Sequence, residues 1–143
     1  MDKLSGKAAE LTRQEWRDLG FHYVSNTEKQ KWILHGSKSG LLNLCKLIEE
    51  FAARILQFGE HEHLMPHWYL TLTSSDSFSI NSRGISGTPE QLNQFSKIFS
   101  QSVQASDLEI TSCLPKEVFD SEYAIEYTVH GESYDPSSQD PQL

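Results

Sequence analysis

Gly87-Thr88-Pro89-Glu90-Gln91-Leu92-Asn93-Gln94-Phe95-Ser96-Lys97-Ile98-Phe99 holds a helix start and the opening turns of an amphipathic helix. Thr88 is placed to cap, Pro89 suits the first helical position, where its missing N–H costs nothing, and Gln91 completes a capping box. From there Leu92, Phe95, Ile98, Phe99 and Val103 recur at helical spacing, which predicts one apolar face. The stretch has an echo 51 residues upstream: Gly36 falls on Gly87, Ser37 on Thr88, Leu41 on Leu92, Leu44 on Phe95, Lys46 on Lys97, Leu47 on Ile98 and Ile48 on Phe99.

Each copy is preceded by strand-like sequence. Phe21 to Val24 and Lys31 to His35 read as two strands joined by the polar turn Ser25-Asn26-Thr27-Glu28-Lys29-Gln30. The first helix then starts between Ser37 and Gly40 and runs through Leu41, Leu44, Ile48, Phe51, Ala52, Ile55 and Leu56, an apolar arc broad enough to need a sheet or a partner over it. Ahead of the second copy, His67 to Thr73 alternates like one strand, and Phe78 to Ile85 supplies another. Tyr123 to Val129 alternates as a last strand, with Leu114 to Phe119 as a connector. The pattern predicts an α+β fold of two layers: an antiparallel sheet with two helices on one face, formed by duplicated ββα units plus a C-terminal strand. The opposite sheet face would then be free for a partner. Residues 1–15 are predicted to be a flexible N-terminal segment, 16–131 a single domain, and 132–143 a disordered acidic tail.

At 143 residues the chain has room for one domain with a core, and its 7 Phe, 5 Tyr and 3 Trp suit burial. No run approaches the roughly 20 apolar residues of a membrane span, and Met1 to Lys7 lacks the apolar centre of a signal peptide, so a cytoplasmic location is expected. Cys45 and Cys113 stand far apart without a C-x-x-C spacing, which indicates neither a disulfide framework nor a thiolate zinc site; Cys45 reads as a small buried hydrophobe. Twenty acidic against twelve basic residues give a net charge of −8, which opposes attachment to nucleic acid or to an anionic membrane and favours a basic protein partner.

Between the two copies lies Glu60-His61-Glu62-His63, with His67 four residues on. Three readings compete. As a helix-to-strand loop, these side chains hydrogen-bond the turn before Pro66 and hold it rigid. As an edge of a partner-binding surface, Glu60, Glu62, His63 and His67 act with Tyr69 and with Arg83, which otherwise reads as a solvated hairpin charge. As a metal site, His61 and His63 lie on one side of an extended segment and His67 supplies a third ligand, although H-E-x-x-H spacing is absent. No nucleophile motif or phosphate-cradling glycine loop accompanies the cluster, so no catalytic residue and no cofactor are assigned. Trp16 and Trp32 are expected in the core, while Trp68 beside Tyr69 sends one aromatic outward. His22, His35 and His130 are isolated in the chain and read as structural.

The succession Trp32-x-Leu34-His35-Gly36-Ser37-x-x-Gly40-Leu41, Glu60-His61-Glu62-His63, Tyr69-Leu70-x-Leu72 and Gly84-Ile85-x-Gly87-Thr88 resembles the bacterial immunity protein 32 family over about residues 20–105. A Gly-Pro pair tends to follow the Glu-His-Glu-His run in that family, whereas Leu64-Met65-Pro66 follows it here, so the local loop differs. The resemblance implies a small α+β protein that neutralises a toxin of a polymorphic or contact-dependent system by stoichiometric binding, without catalysis. A metal-dependent enzyme or sensor using His61, His63 and His67, and an adaptor that self-associates through the bare sheet face, are the alternatives; the oligomeric state is left open.

Overall fold

Thr88 caps its helix as expected. In the computed structural model, which describes residues 5–58, 63–67 and 70–143 with side chains for 5–56 and 71–143, its hydroxyl accepts from the Gln91 N–H at 3.2 Å. The Gln91 side chain accepts in return from the Thr88 N–H at 3.0 Å. In chain order the elements are α1 (Gly6–Leu19), β1 (Phe21–Asn26), β2 (Lys31–Ser37), α2 (Lys38–Phe58), β3 (His63–His67), β4 (Leu70–Ser74), β5 (Ser79–Asn81), β6 (Gly84–Gly87), α3 (Pro89–Ala105), β7 (Thr111–Leu114), α4 (Lys116–Phe119) and β8 (Ala124–His130), followed by a 3₁₀ turn at Pro136–Gln139.

The fold is α+β, with two mixed four-stranded sheets in place of the single antiparallel sheet expected. One has the order β1-β2-β8-β7 and the other β3-β4-β6-β5. Each is made of two antiparallel hairpins joined by a parallel seam, β2 to β8 in the first and β4 to β6 in the second. Alternation along a strand specifies its two faces but not its neighbour, and both seams join segments from opposite halves of the chain. Of the stretch read as a single strand from His67 to Thr73, His67 ends β3 while Leu70 to Thr73 lie in β4, and the connector from Leu114 contains α4, preceded by the short strand β7.

The duplication runs further than ββα. Both halves follow hairpin, helix, hairpin: β1-β2-α2-β3-β4, then β5-β6-α3-β7-β8, with α4 inside the last hairpin. Each half sends its first hairpin to one sheet and its second to the other, so the halves interlock. Helices α2 and α3 share the most extensive contact between helices. At that contact the Ser96 hydroxyl donates to the Cys45 carbonyl at 3.3 Å, and Ser96 is the 51-residue equivalent of Cys45. Contact between equivalent positions is what a local two-fold axis between the halves requires. Ile98, expected on the buried face, is half-buried, and the small Ser96 is buried where the helices meet.

The core fills the space between sheets and helices with Phe21, Leu41, Ile48, Phe51, Leu92, Phe95 and Phe99, all essentially inaccessible. Cys45 is buried among them, and burial pushes its thiol up to about 11. Trp32 and Trp16 are core residues as predicted. The two sheets are stitched at one corner, where the Trp32 indole donates to the Asn81 carbonyl at 2.6 Å and the Tyr123 N–H donates to the Ile80 carbonyl at 2.9 Å.

Both ends carry structure where flexible segments were expected. Within α1, Ala9, Thr12, Trp16 and Leu19 form the buried stripe, spaced at three and four residues. Two of the four are small or polar, so the stripe is faint in sequence. The tail folds back over α1 and the start of α2: Arg17 grips the Asp135 carboxylate at 3.2 and 2.9 Å, the Trp16 indole donates to Asp140 at 2.8 Å, and the Ser39 hydroxyl donates to Glu132 at 2.5 Å. A polar, Pro- and Ser-rich composition reads as disorder. Here its polar groups have specific partners more than 90 residues away, which composition cannot show.

Candidate functional site

Of the residues predicted to bind a partner, Arg83 has a described side chain: it is exposed in the β5–β6 turn. Its backbone N–H donates to the Asn81 side chain at 2.9 Å, and its carbonyl accepts from the Thr71 N–H at 3.0 Å. His63 and His67 are the end residues of β3, paired with Thr73 and Leu70, and the register breaks between Leu64 and His67. Because Thr71 pairs with Gly84, the register carries Arg83 to the same end of the sheet as His67. Glu60, His61, Glu62 and Tyr69 lie outside the described residues, as do the side chains of His63 and His67, and therefore so does the proposed metal set. Among the described residues no three His, Cys, Asp or Glu side chains are grouped to hold a metal ion.

A different titratable cluster forms on the first sheet. His35 and His130, isolated in the chain, are brought together because β2 and β8 run parallel with Ser37 opposite His130. His35 Nδ1 lies 3.0 Å from His130 Nε2, and His130 Nδ1 lies 2.8 Å from a Glu109 carboxylate oxygen. Tyr134 from the tail stacks on His130, ring centres 4.0 Å apart and planes nearly parallel. With Glu109 ionised, His130 carries its proton on Nδ1 and leaves Nε2 to accept, so neutral His35 donates from Nδ1. A second proton on the pair would set two imidazolium rings against each other. Burial, then the neighbouring His130, lowers the His35 pKa from its ordinary value, against the opposing pull of Glu126 and Glu109. The unfolded chain therefore binds the His35 proton more readily than the folded protein does, and stability from this group is full above the ordinary imidazole range and declines as pH falls through it. Urea unfolding followed from pH 7.5 to 5.5 is expected to show a falling midpoint, with a shallower fall in His35→Gln. Parallel pH dependences in the two proteins would contradict the assignment.

Charge is distributed unevenly. Residues 84–143 hold ten of the twenty acidic side chains and two of the twelve basic ones, while residues 1–83 balance at ten and ten. The whole net charge of −8 therefore belongs to the segment from β6 onward. Beside the β1–β2 turn, Lys31 and Glu126 neutralise each other across the β2–β8 seam at 2.6 Å.

Taken together these features define an acidic α+β protein built from two interlocked hairpin-helix-hairpin units. Residues 31–83, from the first residue of β2 to the β5–β6 turn, match the model of the family described as Immunity protein 32. The resemblance read from the sequence is borne out over those residues. No curated protein matches the chain, and no solved structure does.

Proposed function

We propose that this chain is an immunity protein that neutralises a bacterial toxin by binding it directly in the cytoplasm, with no chemistry of its own. The observation that carries this reading is the match of residues 31–83 to Immunity protein 32, which takes in β2, all of α2 and three strands of the second sheet. The acidic second half supports a basic toxin domain as partner, since a surface of one sign accelerates encounter with its opposite and complements a groove meant for nucleic acid. The test is coexpression with the toxin encoded beside this gene. Cells carrying both are expected to grow where cells carrying the toxin alone do not, and the purified pair is expected to bind in the nanomolar range. Unrelieved killing together with no measurable binding to the toxin domain would reject the reading.

A further inference from the structure

A groove of about 610 Å³ runs between α3 and α4. Its floor is apolar: Phe78, Ile98 and Phe119 are half-buried there, and the Phe78 and Phe119 rings lie 5.6 Å apart at a tilt of 46°. Its rim is acidic, formed by Glu90, Glu117 and Asp120, all exposed, and no basic side chain among the described residues lines it. None of the three carboxylates is engaged in an ion pair with a described residue. Apart from Phe78, every residue lining the groove comes from the acidic half, residues 84–143, which carries the entire net charge. That half also holds Leu108, Ile110 and Val118, three of the six large apolar side chains found exposed among the described residues.

Aromatic rings below and carboxylates above suit one kind of occupant. The long apolar stem of an arginine packs on rings, its planar cation is drawn to their faces, and its fork of donors matches carboxylate oxygens. An aliphatic occupant would leave the rim's charges without return, and an acidic one would be repelled. We infer that the α3–α4 groove is the docking site for an arginine-bearing segment of a basic protein partner. This rests on the proposed immunity function and specifies the surface through which it acts.

The experiment measures affinity between the full chain and the catalytically inactive toxin domain encoded beside its gene, for wild type, E117K/D120K, Val118→Lys and E28K. Glu28 is an exposed acidic residue in the turn between β1 and β2, so E28K reports general charge steering without touching the groove. The groove variants change only exposed positions, and unchanged circular dichroism and melting confirm that each is folded. Loss of at least about 30-fold in affinity is expected for both groove variants, since each sets a lysine against the incoming arginine and like charges placed together in an interface cost several kcal/mol. Less than about 3-fold is expected for E28K, as for a single charge outside an interface. Wild-type affinity retained by the groove variants, or an equal loss in E28K, overturns the groove and leaves the immunity function standing. Absence of binding by the wild-type chain overturns both.

Discussion

Replacing Gly40 by alanine will lower the unfolding free energy by about 3 kcal/mol or more, at the upper end of what overpacking costs, and the melting temperature by roughly 10 °C for a chain of this size. A methyl group at Gly40 would sit 1.9 Å from the carbonyl oxygen of Gly20 and 2.8 Å from its carbonyl carbon. Both are backbone atoms, so no side chain can rotate out of the way. Gly20 has no freedom to yield either: it ends α1 in the left-handed region at φ 94°, with its N–H held by the Trp16 carbonyl at 2.9 Å. On the other side, the Gly40 N–H is held by the Ser37 hydroxyl at 3.0 Å. The first turn of α2 and the last turn of α1 are thus in backbone contact, and alanine forces them apart. As α1 moves, the Arg17–Asp135 and Trp16–Asp140 contacts of the tail move with it. Thermal melting of Gly40→Ala measures the loss, and a midpoint within about 2 °C of wild type, close to the scatter of surface substitutions, would show that the contact carries no such constraint.

Legibility in the sequence follows the range of the interaction. Thr88, Pro89 and Gln91 cap α3 within four residues of chain, and the first hairpin closes over a short turn, so both could be read directly. The 51-residue echo was legible for the same reason: each copy is a local cap and helix. What it could not show is where the hairpins go. The β2–β8 seam pairs Lys31 with Ala124, and the β4–β6 seam joins the two halves, so the split into two sheets depends on partners that alternation does not name. The same limit hid the tail, whose Asp135 and Asp140 find Arg17 and Trp16 across the chain. It also hid the His35–His130 pair, which exists because a parallel seam aligns two strands 95 residues apart. Of the predicted binding set, Arg83 is exposed in its turn as a solvated charge should be, and His67 was legible only as a member of its cluster, its alignment with Arg83 arising from the second sheet's register. The α3–α4 groove is not legible in the sequence because Phe78, Ile98 and Phe119 come from three separate segments, and only Ile98 belongs to a readable periodicity.

Truncating Phe99 to alanine will cost about 3–5 kcal/mol, the range for removing a fully buried aromatic ring. The Phe99 side chain is wholly inaccessible, stacks on Phe95 with ring centres 5.9 Å apart, and meets Tyr127 edge-on at 5.3 Å and 81°. Tyr127 is itself pinned, its hydroxyl sharing hydrogen bonds with Ser102 of α3 and with Ser106 at the helix's C-terminal cap, so it cannot readily swing into the space left behind. Phe99→Leu keeps most of the volume and is expected to lose less than about 1.5 kcal/mol. Leu56→Ala supplies the contrast: Leu56 is also a large apolar residue in a long helix, but it is 75% exposed, and its truncation should change stability by no more than about 0.5 kcal/mol. The shape of the transition is as informative as its position. Phe99 stands on the helix of the second half and packs on β8, which shares its sheet with β1 and β2 of the first half. With hairpins exchanged in this way, neither half has a complete sheet of its own to retain. Urea unfolding of Phe99→Ala should therefore remain a single transition, moved to lower denaturant with its slope unchanged. A variant that keeps the first half folded while the second melts would mean that the two units are not interlocked.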